Sequence, residues 1–146
     1  MNCIVAADAN VFLDGLLHRG EMAGDAMNII ELAEEKMILV YASSATMLNV
    51  SYFLKKAGKS SVEIITTFDN LLPYIKINSP DEKMFLNALH AGFTDLEDAV
   101  QYYTALNIRG IDYFITSNTK DYKKALPQLP VVTPKQFMAL YKMRSR

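Results

Sequence analysis

The sequence has a single cysteine and no long apolar run. With Cys3 alone, no intramolecular disulfide can form and no cysteine cluster exists for structural zinc, which fits a reducing cytoplasm. No stretch reaches the roughly 18 consecutive apolar residues of a membrane span, so we expect no membrane association. The segment MNCIVAADANVF lacks a basic start followed by a long apolar stretch, so we expect no signal peptide.

An excess of positive charge is also missing. Fifteen basic residues stand against sixteen acidic ones, which gives a formal net charge of -1. That balance does not support a general electrostatic attraction to nucleic acid, so any nucleic-acid site must be local. The sequence also has no GxxxxGK[ST], GxGxxG or GxSxG motif, which excludes the common phosphate-binding loops and the hydrolase nucleophile elbow.

The 146 residues, 51% of them apolar and 21% charged, are typical of a folded protein, and we predict one domain over 1–146. Short apolar runs predict strands, and they alternate with segments of helical periodicity. This alternation predicts an α/β fold, a single three-layer α/β/α domain with a central parallel sheet of about five strands. The predicted strands are 3–7, 37–41, 74–77, 113–116 and 131–133, and the main predicted helices are 22–35, 45–56, 62–72, 81–91 and 96–107.

Two dipeptides, Ser79-Pro80 and Thr133-Pro134, place a capping residue before a proline, and both predict helix starts. A further helix is predicted over 122–126, with Asp121 as a candidate cap. The aromatic pairs Tyr52-Phe53 and Tyr102-Tyr103 favour core packing over stacking on a base.

Polar residues follow three of the predicted strands. Asp8 and Asn10 follow the first, Ser43-Ser44 the second, and 116–118 (Thr, Ser, Asn) with Asp121 the fourth. Ligands in open α/β sheets bind beyond the carboxyl ends of the strands. These residues therefore carry most of the functional information.

Two acidic segments have both a structural and a chemical interpretation. Asp8 directly follows an apolar strand, where it could hold a hard cation, but Asp8 or Asn10 could equally cap the next helix. Asp95 and Asp98 lie three residues apart and face one side of a helix near its first turn. Taken alone, this second segment resembles an ordinary capping arrangement.

Considered together, these segments resemble PIN domains. The resemblance is carried by Asp8-Ala9-Asn10 near the start, Asp98-Ala99 in a late helix, and Thr116-Ser117-Asn118 after a penultimate strand. The run DLEDAVQYYTALNIRGIDYFITSNTKDY, with SATMLNVSYFL and VVTPKQF, is similar to a bacterial PIN subgroup related to VapC-type toxins. The likeness covers nearly the whole chain.

The resemblance implies a ribonuclease in which acidic residues hold Mg²⁺ or Mn²⁺ and activate a water that cuts an RNA phosphodiester. By motif position, Asp8 and Asp98 are the primary metal ligands and Asp95 is a further carboxylate. Thr116 and Asn118 are carried over as catalytic positions. Three residues, Asn10, Asn49 and Asp121, are carried over as contacts to substrate or to the ligands.

Two amides depart from the family pattern. PIN nucleases usually carry glutamate where Asn49 stands, and many carry aspartate where Asn118 stands. An amide oxygen can bind Mg²⁺ but brings no negative charge. Two functions therefore stay open: a toxin ribonuclease of a bacterial toxin-antitoxin pair, or a non-catalytic PIN-like RNA- or protein-binding module. The resemblance also implies a homodimer, an antitoxin partner and a cytoplasmic location.

Overall fold

The computed structural model describes residues 3–144 and contains a five-stranded sheet in the order β3-β2-β1-β4-β5. Every neighbouring pair of strands is parallel. The strands are β1 (Cys3–Ala7), β2 (Ile38–Ser43), β3 (Ile75–Asn78), β4 (Tyr113–Ile115) and β5 (Val131–Val132). The predicted parallel sheet is confirmed, and the strand ends differ from the predicted ones by at most two residues.

Helices connect the strands and cover both faces of the sheet. They are α1 (Ala9–Leu17), α2 (Ala23–Glu34), α3 (Ser44–Lys56), α4 (Ser61–Leu71), α5 (Glu82–Leu89), α6 (Leu96–Leu106) and α7 (Pro134–Arg144). Alternate residues of β1 separate the two faces, since Val5 and Ala7 pack with α1 to α4 and α7, whereas Ala6 packs with α6. This arrangement confirms the predicted three layers.

Side-chain caps explain where several helices begin. Thr133 Oγ1 accepts a hydrogen bond from Gln136 N at 3.1 Å, and Gln136 Oε1 accepts one from Thr133 N at 2.9 Å, so α7 starts at Pro134 as predicted. The predicted start at Ser79-Pro80 is wrong. Asp81 is the cap of α5, because its Oδ1 accepts from Met84 N at 2.8 Å, and both residues of the dipeptide lie outside the helix.

The predicted helix over 122–126 is also wrong. A short 3-10 helix spans Thr119–Tyr122 instead, and Asp121 lies inside it rather than before it. The backbone N–H of Leu126 donates to the Tyr102 hydroxyl at 2.7 Å. Leu126 also precedes Pro127, which disfavours the helical conformation at that position. The chain therefore forms a turn after Tyr122, in which Ala125 N donates to Tyr122 O at 3.0 Å, and no helix follows over 123–126.

The strand order places β1 beside β4 in the middle of the sheet. Chain connections leave this pair in opposite directions, because β2 and β3 lie on one side and β5 on the other. In open α/β sheets such a switch point opens a crevice at the carboxyl ends of the strands. Asp8 follows β1, and its N–H donates to Ile115 O of β4 at 2.9 Å. Asp8 therefore lies at the crevice.

None of the helices within residues 3–144 combines the length and the apolar character that crossing a membrane requires.

The only cysteine, Cys3, is expected to resist alkylation in the native protein. Its side chain is 3% exposed, and burial, with the nearby charge of Asp112, raises its pKa from 9.0 to about 11. At pH 8 the thiolate, which is the reactive form, should be about 100-fold scarcer than in an ordinary thiol. Iodoacetamide labelling followed by mass spectrometry should show slow modification in buffer and rapid modification in denaturant. Equal rates in both conditions would contradict this environment for Cys3.

Candidate active site

Asp8 is a buried carboxylate with hydrogen-bond donors on both oxygens. It is 6% exposed, and its Oδ1 accepts from Ala9 N at 2.6 Å, which also caps α1. Its Oδ2 accepts from Thr116 Oγ1 at 2.9 Å and from Tyr122 OH at 3.0 Å. Burial raises the pKa of Asp8, and these hydrogen bonds oppose that rise. The capping and chemical interpretations of Asp8 are therefore compatible.

Asp98 approaches Asp8 from α6, on the other face of the sheet. Tyr122 OH lies 3.3 Å from Asp98 Oδ1 and 3.0 Å from Asp8 Oδ2, so one hydroxyl links the two carboxylates. Burial raises the pKa of Asp98 to about 7, and the charges of Asp8, Asp95 and Asp121 contribute to the rise. The two residues proposed from sequence as metal ligands are thus brought together in space.

Further carboxylates surround this pair. Asp121 raises the pKa of both Asp8 and Asp98 through its charge, and Asp95 raises that of Asp98. Burial, followed by the charges of Asp95 and Asp8, raises the pKa of Glu97. Besides burial, repulsion between like charges contributes to each of these rises in pKa, and we call these five side chains the acidic cluster.

Basic side chains do not neutralise the acidic cluster. Within residues 3–144, an ion pair forms between Arg19 Nε and Asp14 Oδ1 at 2.9 Å, and Asp14 is not a member of the cluster. No member of the cluster forms an ion pair in this part of the chain. An unneutralised group of carboxylates is costly for the fold unless a cation binds there.

The loop after β4 is tied to the start of α1. Asn10 Nδ2 donates to Thr116 Oγ1 at 3.3 Å, and Asn10 Oδ1 accepts from Ser117 N at 3.1 Å. Thr116 Oγ1 also accepts from Asn118 N at 3.2 Å. Thr116 is fully buried, and its hydroxyl donates to Asp8. Asn10 and Thr116 therefore fix the position of the Asp8 carboxylate.

The other residues selected from the sequence lie around this centre. Asn118 Nδ2 donates to Asp121 Oδ2 at 2.7 Å, so these two side chains form a pair beside the centre. Asp95 caps α6, and its Oδ1 accepts from Asp98 N at 3.0 Å. The side chain of Asn49 donates to Glu97 across the space between α3 and α6. None of these four side chains hydrogen-bonds directly to Asp8 within the described part of the chain.

Two members of the site, Tyr122 and Glu97, were not identified from the sequence. A tyrosine beside Asp121 in a polar segment carries no signal of its own, and it enters the site because the 3-10 helix turns its ring inward. Glu97 precedes Asp98 on α6, where a second acid suits the helix dipole. Its contact with Asn49 depends on the packing of α3 against α6, which sequence spacing does not reveal.

The donor set fits a hard divalent cation. Asp8 and Asp98 offer carboxylate oxygens at one edge of the sheet, and Mg²⁺ in proteins is often held by one or two carboxylates together with water and substrate phosphate. Within residues 3–144, no three His, Cys, Asp or Glu side chains are grouped closely enough to form a complete cage for an ion. The carboxylates of Asp8 and Asp98 are therefore the pair on which the suggestion of a cation site rests.

A buried amide on α6 has unmet hydrogen-bonding capacity close to this centre. Gln101 is 3% exposed, and neither its Oε1 nor its Nε2 has a partner among the described residues. It follows Asp98 by three residues, which places the two side chains on the same face of the helix. Buried polar groups are rarely left without a partner in proteins.

Comparisons with known proteins agree with this geometry. The family model of the PIN domain matches residues 5–120. A search of curated protein sequences returned no significant match.

Solved structures show the same fold. VapBC2 from Rickettsia felis, bound to a DNA fragment from its promoter, superposes with a TM-score of 0.65 at 17% identity, covering 89% of this chain and 98% of that one. A toxin-antitoxin complex from Klebsiella pneumoniae gives 0.63 at 24% identity, with 89% and 97% covered. Mycobacterium tuberculosis VapC20, a sarcin-ricin loop cleaving toxin, gives 0.65 at 11% identity, with 86% and 98% covered. Together with the family match over most of the sequence, the fold and the acidic edge lead to one conclusion: this chain belongs to the PIN domain family.

Proposed function

We propose that this protein is a metal-dependent endoribonuclease that hydrolyses RNA phosphodiester bonds with Mg²⁺ or Mn²⁺. The observation that carries the proposal is the convergence of Asp8 and Asp98 on one hydroxyl, inside an acidic cluster that no basic side chain of residues 3–144 neutralises. The acidic cluster would repel an RNA phosphate unless a cation bound between the cluster and the phosphate. Binding of substrate and binding of metal are therefore coupled.

Each residue has a role that follows from its position. Asp8 and Asp98 hold the ion, with Asp95 as a further carboxylate at the edge of the site. A bound divalent ion supplies a more acidic water and neutralises charge on the phosphate. Thr116 and Asn10 keep Asp8 oriented through their hydrogen bonds. The remaining polar groups, Asn49, Asn118 and Asp121, line the approach to the ion and contact the substrate or the ligands.

We further propose that the protein is the toxin of a bacterial toxin-antitoxin pair, acts in the cytoplasm and forms a homodimer. Similarity to solved toxin-antitoxin complexes supports the first part. Large apolar side chains exposed on α3 and α4 support a protein partner, and the most exposed are Leu48 (73%), Val62 (74%) and Ile65 (62%). Tyr52, at 56%, and Phe53, at 38%, are exposed on α3 as well, so the expectation that they pack in the core was wrong.

A second function, a non-catalytic RNA- or protein-binding module, is favoured by the two amides. Asn49 and Asn118 stand where carboxylates would add charge, and both donate hydrogen bonds to neighbouring acids. In a binding module, RNA or protein affinity would not depend on a divalent ion. This difference separates the two functions experimentally.

The test is cleavage of a mixed, structured RNA pool by the purified protein with Mn²⁺, Mg²⁺ or EDTA, for the wild type and Asp98→Asn. Cleavage that requires the metal and is lost in the variant is the expected result. Cleavage that persists in Asp98→Asn would show a contaminating nuclease or another site. RNA binding without cleavage, unchanged by EDTA, would establish the binding module instead.

A further inference from the structure

Tyr122 is the group that joins the two carboxylates proposed to bind metal. Its hydroxyl lies 3.0 Å from Asp8 Oδ2 and 3.3 Å from Asp98 Oδ1. Asp8 follows β1, whereas Asp98 belongs to α6 on the opposite face of the sheet. No other side chain of residues 3–144 hydrogen-bonds to both carboxylates. This hydroxyl is therefore the direct side-chain link between them within the described residues.

The ring of Tyr122 is held by aromatic neighbours on several sides. Its centroid lies 4.9 Å from that of Phe114 on β4 and 5.8 Å from that of Phe93, which meets it edge to face. Tyr122 is 3% exposed. Rings packed in this way keep a single orientation, because any rotation creates voids or clashes. The hydroxyl is thus presented to the carboxylates from a rigid support.

From these contacts we infer that Tyr122 is a positioning residue for the metal site, a role that rests on the proposed metal-dependent function. Two carboxylates repel each other, and the half-buried Asp98 carboxylate has no side-chain hydrogen bond among residues 3–144 other than that with Tyr122. The Tyr122 hydroxyl has one proton to donate and lies within hydrogen-bond distance of an oxygen of each carboxylate. Its contacts are with the proposed ligands and it is 3% exposed, so we expect its effect to be on metal affinity.

Removing the hydroxyl should weaken metal binding without unfolding the protein. Tyr122→Phe keeps the ring and its aromatic contacts. Loss of a side chain that orients metal ligands typically costs about 10- to 100-fold in metal affinity or activity. We expect Mn²⁺ affinity about 10-fold weaker and half-maximal RNA cleavage at about 10-fold higher Mn²⁺. Cleavage at saturating Mn²⁺ should recover most of the wild-type rate, because Asp8 and Asp98 are both present.

Tyr102 provides a matched control in the same aromatic cluster. Its ring centroid lies 6.3 Å from that of Tyr122, but its hydroxyl donates to Leu129 O at 2.8 Å and accepts from Leu126 N at 2.7 Å. Both of these partners are backbone groups, and neither belongs to the acidic cluster. Tyr102→Phe should therefore lower thermal stability and leave Mn²⁺ affinity unchanged. A general loosening of the cluster would lower both quantities in both variants.

The experiment measures free Mn²⁺ by electron paramagnetic resonance in titrations of the wild type, Tyr122→Phe, Tyr102→Phe and Asp8→Asn, with melting curves in EDTA. Weaker binding in Tyr122→Phe alone among the two tyrosine variants supports the role. Equal binding by the wild type and Tyr122→Phe overturns that role and leaves the proposed ribonuclease intact. Absence of Mn²⁺ binding by the wild type overturns the metal-dependent function itself, and the role of Tyr122 with it.

Discussion

Replacing Asp8, a proposed metal ligand, with asparagine is expected to lower metal-dependent RNA cleavage more than about 100-fold, because loss of a ligand should exceed the cost of about 10- to 100-fold for losing a group that only orients one. The variant loses one of the two carboxylates that converge on Tyr122. An amide oxygen can occupy the same place, but it carries no charge to attract a divalent ion. Added Mn²⁺ should not restore the rate.

The same substitution should leave the fold intact. Asp8 Oδ1 accepts from Ala9 N, and an asparagine oxygen can accept in the same way. Asp8 Oδ2 accepts from the hydroxyls of Thr116 and Tyr122. Tyr122 can accept from an amide NH₂ by rotating its proton, whereas Thr116 Oγ1 already accepts from Asn10 Nδ2 and Asn118 N, so the variant loses one hydrogen bond. Removal of a buried charge should even raise the stability of the metal-free protein.

The measurement compares RNA cleavage rates and melting temperatures for the wild type, Asp8→Asn and Asp14→Asn. Asp14 is a suitable control because it lies on the same helix, pairs with Arg19 and accepts from Ser117 Oγ at 2.9 Å, outside the acidic cluster. Asp14→Asn should retain activity within a few fold. Comparable losses in both variants would show that helix α1, rather than the carboxylate of Asp8, is what cleavage requires.

Much of the fold could be predicted from the sequence because its signals are local. Short apolar runs separated by helical periodicity determine a parallel sheet, and Thr133 and Gln136 supply their own cap at the start of α7. The predicted helix starts were wrong where contacts with other residues outweigh the local preference of the sequence. Asp81 replaced Ser79 as a cap, and the Tyr102 hydroxyl, distant in sequence, took the N–H of Leu126 that a helix would have used.

The candidate site was only partly predictable. Asp8 stands out because it directly follows a buried strand, at the edge where ligands of a parallel sheet bind. Asp98 in a first helical turn resembles an ordinary cap, and it is selected through the resemblance to PIN domains. Tyr122 could not be selected, since its hydroxyl reaches both acids only after a 3-10 helix turns the ring inward. Side-chain direction over a short irregular segment is decided by tertiary packing, as with Phe93 and Phe114 around that ring.

The metal-free protein should become less stable as pH rises from about 4 to about 8. Burial and like charges raise the pKa of Asp8, Glu97 and Asp98, the last from 3.8 to about 7. Between those values the folded state binds more protons than the unfolded state, so the free energy of unfolding falls with rising pH. Asp98 is half-buried and partly screened by solvent, so we expect its contribution to be about 1 to 2 kcal/mol.

Urea denaturation in EDTA at pH 4.5, 6 and 7.5 measures this slope, and Asp98→Asn should reduce it. The tyrosines and the thiol with raised pKa lose protons only at higher pH, so they do not interfere in this window. Adding Mn²⁺ at pH 7.5 should stabilise the wild type by about 2.7 kcal/mol at a concentration 100 times Kd. It should have little effect on Asp98→Asn. A free energy of unfolding that rises with pH in both the wild type and Asp98→Asn would contradict this prediction. It would mean that the acidic cluster is neutralised by other groups of the protein and needs no cation.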